Sequence, residues 1–194
     1  MYTTLWLFRC NWKENTDYGF RNAKELLKVC QEQGLSISAV MLQRELTEGE
    51  QDPEETDRKM DRVLEIMKSA ASTPIHTPVK SMGGLIGGEA KKISDHKDTG
   101  KGLCGDLLER AVIYAMATLE TNASMGVIVA SPTAGSAGIV PGLLLALQET
   151  YELSDEQIKQ GLYNASAIGY LAMRNATVAG AVGGCQAEVG IASA

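Results

Sequence analysis

Two segments rich in small residues, glycine and alanine in both with serine and threonine in the first, constrain this chain more than any other feature. They are Ser131-Pro132-Thr133-Ala134-Gly135-Ser136-Ala137-Gly138 and Gly183-Gly184-Cys185-Gln186-Ala187-Glu188-Val189-Gly190, the second close to Ala194. Such residues let backbone approach backbone, or a ligand, closely, and they offer N–H and hydroxyl donors without bulk. Surface linkers share this composition but do not usually carry a cysteine beside Gln and Glu. With 20 glycines and only 5% aromatic residues, the core must be built from small and aliphatic side chains, and close helix packing is the expectation.

A chain of 194 residues can bury a real core, and one domain with an appended segment fits that length better than two domains. Hydrophobic content of 44% with 22% charged residues is ordinary globular composition. The net charge of -6, from 18 basic and 24 acidic residues, leaves no excess of Lys and Arg to displace counterions from phosphate, so nucleic acid is not an expected partner. The N-terminal apolar run Leu5-Trp6-Leu7-Phe8 lacks a preceding basic region and is too short to span a bilayer, so neither membrane insertion nor secretion is expected. Cys10, Cys30, Cys104 and Cys185 are scattered without a C-x-x-C pair, which argues against a disulfide framework or zinc site and for a cytoplasmic chain with reduced thiols.

The fold class expected is mainly α, a multi-helix catalytic domain with Gly/Ser/Thr-rich active-site loops between helices. Residues 1–18 hold both tryptophans and no helical period, and read as an irregular extension. From Asn22 the pattern turns helical, with Ala23, Leu26, Leu27 and Cys30 on one face and Gly34 as the stop. A short helix from Ser36 or Ser38 carries Ile37, Val40 and Met41 inward, and the acidic stretch Glu48 to Asp57 breaks it. Met60, Val63, Leu64, Met67 and Ala71 mark a third helix that Thr73-Pro74 ends. Thr73 to Leu103, with Gly83-Gly84, Gly87-Gly88, both histidines and Lys91-Lys92, reads as a long functional loop.

Asp106 is placed to cap a helix with Leu107, Leu108, Ala111, Val112, Ala115 and Leu119 as its buried stripe. After Val127-Ile128-Val129-Ala130 and the Ser131 loop, Pro141 sits in a first helical turn, with Leu143, Leu144, Leu147 and Tyr151 continuing inward. Ser154-Asp155-Glu156-Gln157 is a capping box for a helix through Ile158, Leu162, Ala165 and Ile168.

Asn122-Ala123-Ser124-Met125-Gly126, the Ser131 loop through Pro141-Gly142, and Ala179-Gly180-Ala181 leading into Gly183-Gly184-Cys185-Gln186 together resemble the alpha chain of iron-sulfur-dependent L-serine dehydratase. The resemblance runs from about Phe20 to Ala194, so the domain expected is 19–194 with 1–18 outside it. It implies an enzyme that converts L-serine to pyruvate and ammonia with a 4Fe-4S cluster, assembled with a beta chain or as a homo-oligomer. It implies further that Cys185 is a cluster ligand and that the other ligand cysteines belong to a downstream segment, so that the chain is expected to be C-terminally incomplete. A cluster with one open iron takes three thiolates, and only one stands here in the matching context. An apolar surface that further helices would cover is a second expectation.

Thr133, Ser136 and the amides around Gly135 are candidates to hold the substrate carboxylate in a concave set of donors. The plainer alternative is a tight turn between helices that uses small residues. Asn122 and Ser124 fit ligand contact or the N-cap of the next element. Cys185 fits a cluster ligand or a small buried hydrophobe. Glu188, three residues on, would share a helix face with Cys185 and orient a group behind the ligands, or be a solvated helix residue. Lys91 and Lys92 read as a solvated pair or as a cation for the substrate; His76 and His96 sit in no motif tied to the cluster. No catalytic acid or base is identified. The competing function is a cluster-free helical fragment that only binds a partner; a pyridoxal-phosphate lyase has little motif support.

Overall fold

The computed structural model describes residues 17–48, 52–102 and 104–194, and these build eight α-helices with no strand among the described residues. The mainly α expectation holds. Most of the 1–18 extension, with Cys10, lies outside the described residues, although Tyr18 packs against the core.

Helix α1 (Ala23–Gln33) starts where Asn22 caps it, accepting from the Glu25 amide, and stops at Gly34 in the left-handed conformation with φ 64°. Helix α2 (Ile37–Glu48) follows at once. Helix α3 (Pro53–His76) corrects two expectations. Pro53 opens the helix behind an Asp52 cap instead of lying in a break, because a first-turn proline loses no hydrogen bond. At the far end Thr73-Pro74 does not stop it: Pro74 is inside the helix and buried, and the Ala70 carbonyl left without a Pro74 N–H accepts from the Thr121 hydroxyl at 2.8 Å.

The stretch read as one long loop contains α4 (Glu89–Lys97). Helix α5 (Asp106–Ala123) is preceded by Gly105, and Asp106 does not cap it; the Asp106 carboxylate instead pairs with Lys97 at 2.6 Å and Arg110 at 2.7 Å. These two partners, Arg110 first, hold its carboxyl below the usual carboxylate range. Helix α6 (Ile139–Tyr151) carries Pro141 in its first turn, and α7 (Asp155–Asn175) begins with the complete Ser154/Gln157 capping box. Helix α8 (Gly180–Ser193) is two helical stretches meeting at Gly184, whose φ of 73° and ψ of 172° break the regular backbone.

The main core joins α1, α2, α3 and α7 through Phe20, Val40, Met41, Val63, Leu64, Ile158 and Leu162, with Cys30 packed at its margin. Helix α5 packs on α3, α4 and α6. Its buried side is Ile113, Ala117, Thr118 and Glu120, not the predicted stripe: Leu108, Val112 and Leu119 are exposed. Helix α6 is rotated likewise, burying Leu145 and Ala146 and exposing Leu143 and Tyr151. For Val112 and Leu143 the reason is an open groove of about 600 Å³ between α5, α6 and α7, lined also by Ile191–Ala194, which they share with Ala111 and Leu144. Those positions are apolar because they share a surface, which the described chain leaves open.

The α5–α6 crossing shows what the small residues do. A side chain on Gly138 would come within 2.5 Å of the Ala115 carbonyl oxygen, and one on Gly142 within 2.8 Å of that of Ala111. Gly138 and Gly142 thus lie one turn apart against Ala111 and Ala115, and the helix backbones nearly touch. This close approach fixes where the segment before α6 emerges.

Candidate functional site

The segment 127–138 leaves α5 through the turn at Thr121–Gly126 and enters α6 at Gly138. The Thr121 carbonyl accepts from the Gly126 amide at 2.8 Å and from the Ser124 hydroxyl at 3.1 Å, so Ser124 finishes α5 instead of capping a new helix. Asn122, in the last turn of α5, donates its side-chain amide to the Ala134 carbonyl at 3.2 Å and ties the helix end to the Ser131 loop.

Within that loop the Ser136 hydroxyl is buried. It donates to the Ser131 carbonyl at 3.1 Å, lies 3.1 Å from Thr133 Oγ1 and accepts from the Thr133 amide at 3.4 Å. Ser136 is therefore the internal brace of the loop. Its bonds turn the neighbouring backbone outward: among the described residues the N–H groups of Ala134, Gly135 and Ser136 donate to no protein acceptor, and Ala134 and Gly135 are exposed. Three successive amides without a protein acceptor thus lie beside the Thr133 hydroxyl. Of the residues singled out in the sequence, Ser136 braces the loop from within and Thr133 lies beside it.

Helix α8 brings the second small-residue segment to this loop. The Glu188 carboxylate is wedged between two glycines: a side chain on Gly135 would lie 3.1 Å from one of its oxygens, and one on Gly180 would lie 2.6 Å from the other. Cys185 and Glu188 both follow the Gly184 break, in one helical stretch. Cys185 is exposed, which removes the alternative of a small buried hydrophobe.

A further buried carboxylate lies one turn before the end of α5. Glu120, 2% exposed on α5, accepts from the Gly88 amide at 2.9 Å and the Ala90 amide at 2.7 Å, and so caps α4 from beneath. Beside it the Gly87 amide bonds to Glu89 at 2.6 Å and holds the Glu89 carboxyl below the usual range. Sequence reading missed Glu120; the signal was a carboxylate sharing the helical face of Ile113 and Ala117. Lys91 pairs with Asp95 at 2.7 Å on an exposed surface, as a solvated basic residue does. On the groove side, the hydroxyls of Ser131 and Ser166 are buried without a hydrogen-bond partner.

A family model described as serine dehydratase alpha chain matches residues 32–194. The chain belongs to the serine dehydratase alpha chain family.

Its curated relatives include the probable L-serine dehydratase alpha chain of Bacillus subtilis, 44% identical over 174 residues that make up 90% of this chain and 58% of that protein. The L-serine dehydratase alpha chain of Peptoniphilus asaccharolyticus is 40% identical over 89% of this chain and 59% of its own length. The L-serine dehydratase of Helicobacter pylori strain 26695 is 33% identical over 93% of this chain and 40% of that protein. The chain thus spans about three fifths of the alpha chains it matches. For the iron-sulfur cluster that the sequence resemblance implies, the described residues hold no group of three or more His, Cys, Asp or Glu side chains able to bind a metal. Cys30 sits on α1 at the core margin and Cys104 precedes α5, so among the described residues Cys185 is the one cysteine in a small-residue setting and does not by itself fit a cluster. No described helix is long and apolar enough to cross a membrane.

Proposed function

We propose that this chain is the alpha component of an L-serine ammonia-lyase, forming pyruvate and ammonia, and that residues 19–194 are its alpha-chain-like domain. One observation carries the reading: the three free amides of Ala134, Gly135 and Ser136, beside Thr133, are met by the helix that bears Cys185. The amides receive the substrate carboxylate, Thr133 adds a hydroxyl, and Asn122 and Ser124 hold the loop by its ends. Catalysis needs the reacting centre held in place, and a loop braced internally by Ser136 does this better than a mobile one. We assign Cys185 as one thiolate of a 4Fe-4S cluster; the other ligands fall to protein outside the described residues. A beta chain, or further copies of this chain, completes the assembly, and cysteines scattered without a C-x-x-C pair support a cytoplasmic setting.

A second reading, a cluster-free chain that only binds a partner, is favoured by the open groove between α5, α6 and α7. Anaerobic reconstitution with iron and sulfide, alone and with a beta chain, separates the two. Visible absorption that requires Cys185, with pyruvate formed from L-serine, is the result expected of the lyase. Failure to bind iron with any beta chain, while a longer relative succeeds in the same protocol, would leave only the partner-binding role.

A further inference from the structure

Glu188 is half-buried at the loop, yet among the described residues it makes no hydrogen bond and no ion pair. Most other acids that approach a neighbouring element have found a cation or amide, as Asp155 has with Lys68 and Glu120 has with the start of α4. A carboxylate partly out of water gains from a donor, and glycine at 135 and 180 leaves room for this one: a side chain on Gly180 would come within 2.6 Å of one carboxylate oxygen and one on Gly135 within 3.1 Å of the other. The niche also sets Glu188 beside the free amides of the Ser131 loop. Donors for an anion and an unpaired carboxylate therefore stand side by side.

We infer that Glu188 receives the α-ammonium group of the substrate. The inference rests on the serine dehydratase reading and deepens it. A zwitterionic α-amino acid carries its carboxylate and ammonium on one carbon, so the two must be met by donors and an acceptor within one short span. The amides of 134–136 meet the first and Glu188 the second, which leaves the serine side chain free to point elsewhere. The arrangement selects α-amino acids over hydroxy acids of the same shape, because glycerate, with a hydroxyl in place of the ammonium, gains no charge-assisted bond to Glu188.

The test is binding of L-serine and of glycerate to the chain by calorimetry, in wild type, Glu188→Gln and Glu188→Asp, each first shown to melt like wild type. Glu188→Gln should weaken L-serine by about tenfold or more and leave glycerate unchanged, while Glu188→Asp, which keeps the charge, should lie between. Equal loss of both ligands in Glu188→Gln would make Glu188 a brace of the loop and overturn the inference, as would unchanged L-serine binding. If the wild type bound other α-amino acids in a Glu188-dependent way but not L-serine, the ammonium assignment would stand and the serine reading would fall. Binding of no amino acid by wild type would overturn both.

Discussion

The hydroxyl of Thr121 donates to the carbonyl oxygen of Ala70 at 2.8 Å, and that bond replaces the one that Pro74 cannot make. It lets α3 run through a proline and fastens the end of α5 to it. The same residue receives the Gly126 amide and the Ser124 hydroxyl on its own carbonyl, so the exit of the chain toward the Ser131 loop depends on Thr121 from both sides. Thr121→Val keeps the shape and removes the donor, leaving the Ala70 carbonyl without a partner; the cost expected is about 1–3 kcal/mol in urea unfolding. Pro74→Ala in that background restores the Ala70 bond within α3 and should recover part of the loss. An additive double-mutant cycle would break the proposed link between the two residues.

The α5–α6 crossing gives a second expectation. Gly138→Ala pushes a methyl to within 2.5 Å of the Ala115 carbonyl oxygen, a backbone atom that cannot swing away. Overpacking of this kind costs about 1–3 kcal/mol. Gly190→Ala is the control, since nothing lies within 4 Å of the added methyl. A melting temperature for Gly138→Ala equal to that of Gly190→Ala would mean that the helices separate at no cost.

These contacts show what could be read before the fold was known. Helix starts at Asn22 and Ser154 and the stop at Gly34 were legible because each is a local bargain between one side chain and its own helix. The faces of α5 and α6 were not, because apolar periodicity marks shared surface without distinguishing a filled interface from an open groove. Pro74 misled for a related reason: its compensation comes from Thr121, far along the chain. The two small-residue segments do come together, Glu188 of the second lying against Gly135 of the first. That Ser136 braces and the neighbouring amides present themselves depends on loop geometry that no spacing encodes.

A buried ion pair inside the core yields a third expectation. Arg44 bonds to Glu48 at 3.0 Å, and its guanidinium lies 3.9 Å from the Tyr170 ring centre and 4.8 Å from that of Phe20. The pair lies within α2, and the ring contacts of its guanidinium tie α2 to α7 and to the residues ahead of α1. Arg44→Met keeps much of the volume but strips Glu48 of this cation, at a cost of about 3–5 kcal/mol. The double variant Arg44→Met/Glu48→Leu should recover most of it, since the charge left behind, not the lost attraction, carries the penalty. Chemical denaturation of the three variants decides this; a double variant as unstable as the single would place the stability in the cation–ring contacts instead.

Stability should fall at both ends of the pH scale, for different residues. Asp155, at the start of α7, is held below the usual carboxylate range by its bonds from Lys68 first and Gln148 second. Its contribution is present above the unfolded value of about 3.9 and is lost as pH falls through the lower folded value, so acid loosens the α3–α7 junction and Asp155→Asn flattens that limb. Exposure of the pair to solvent keeps this effect small. Tyr163, buried on α7, is pushed up to about 12, by burial first and then by the charges of Glu45 and Asp57. A folded value raised above the unfolded one of about 10 gives stability that is complete below pH 10 and lost as pH rises toward 12, on the order of 2–3 kcal/mol. Tyr163→Phe should remove that part of the alkaline decline and the late-titrating tyrosinate absorbance attributable to this residue, leaving that of Tyr114, which burial and Glu149 raise further still. Survival of both in the variant would show that the alkaline limb belongs to other groups.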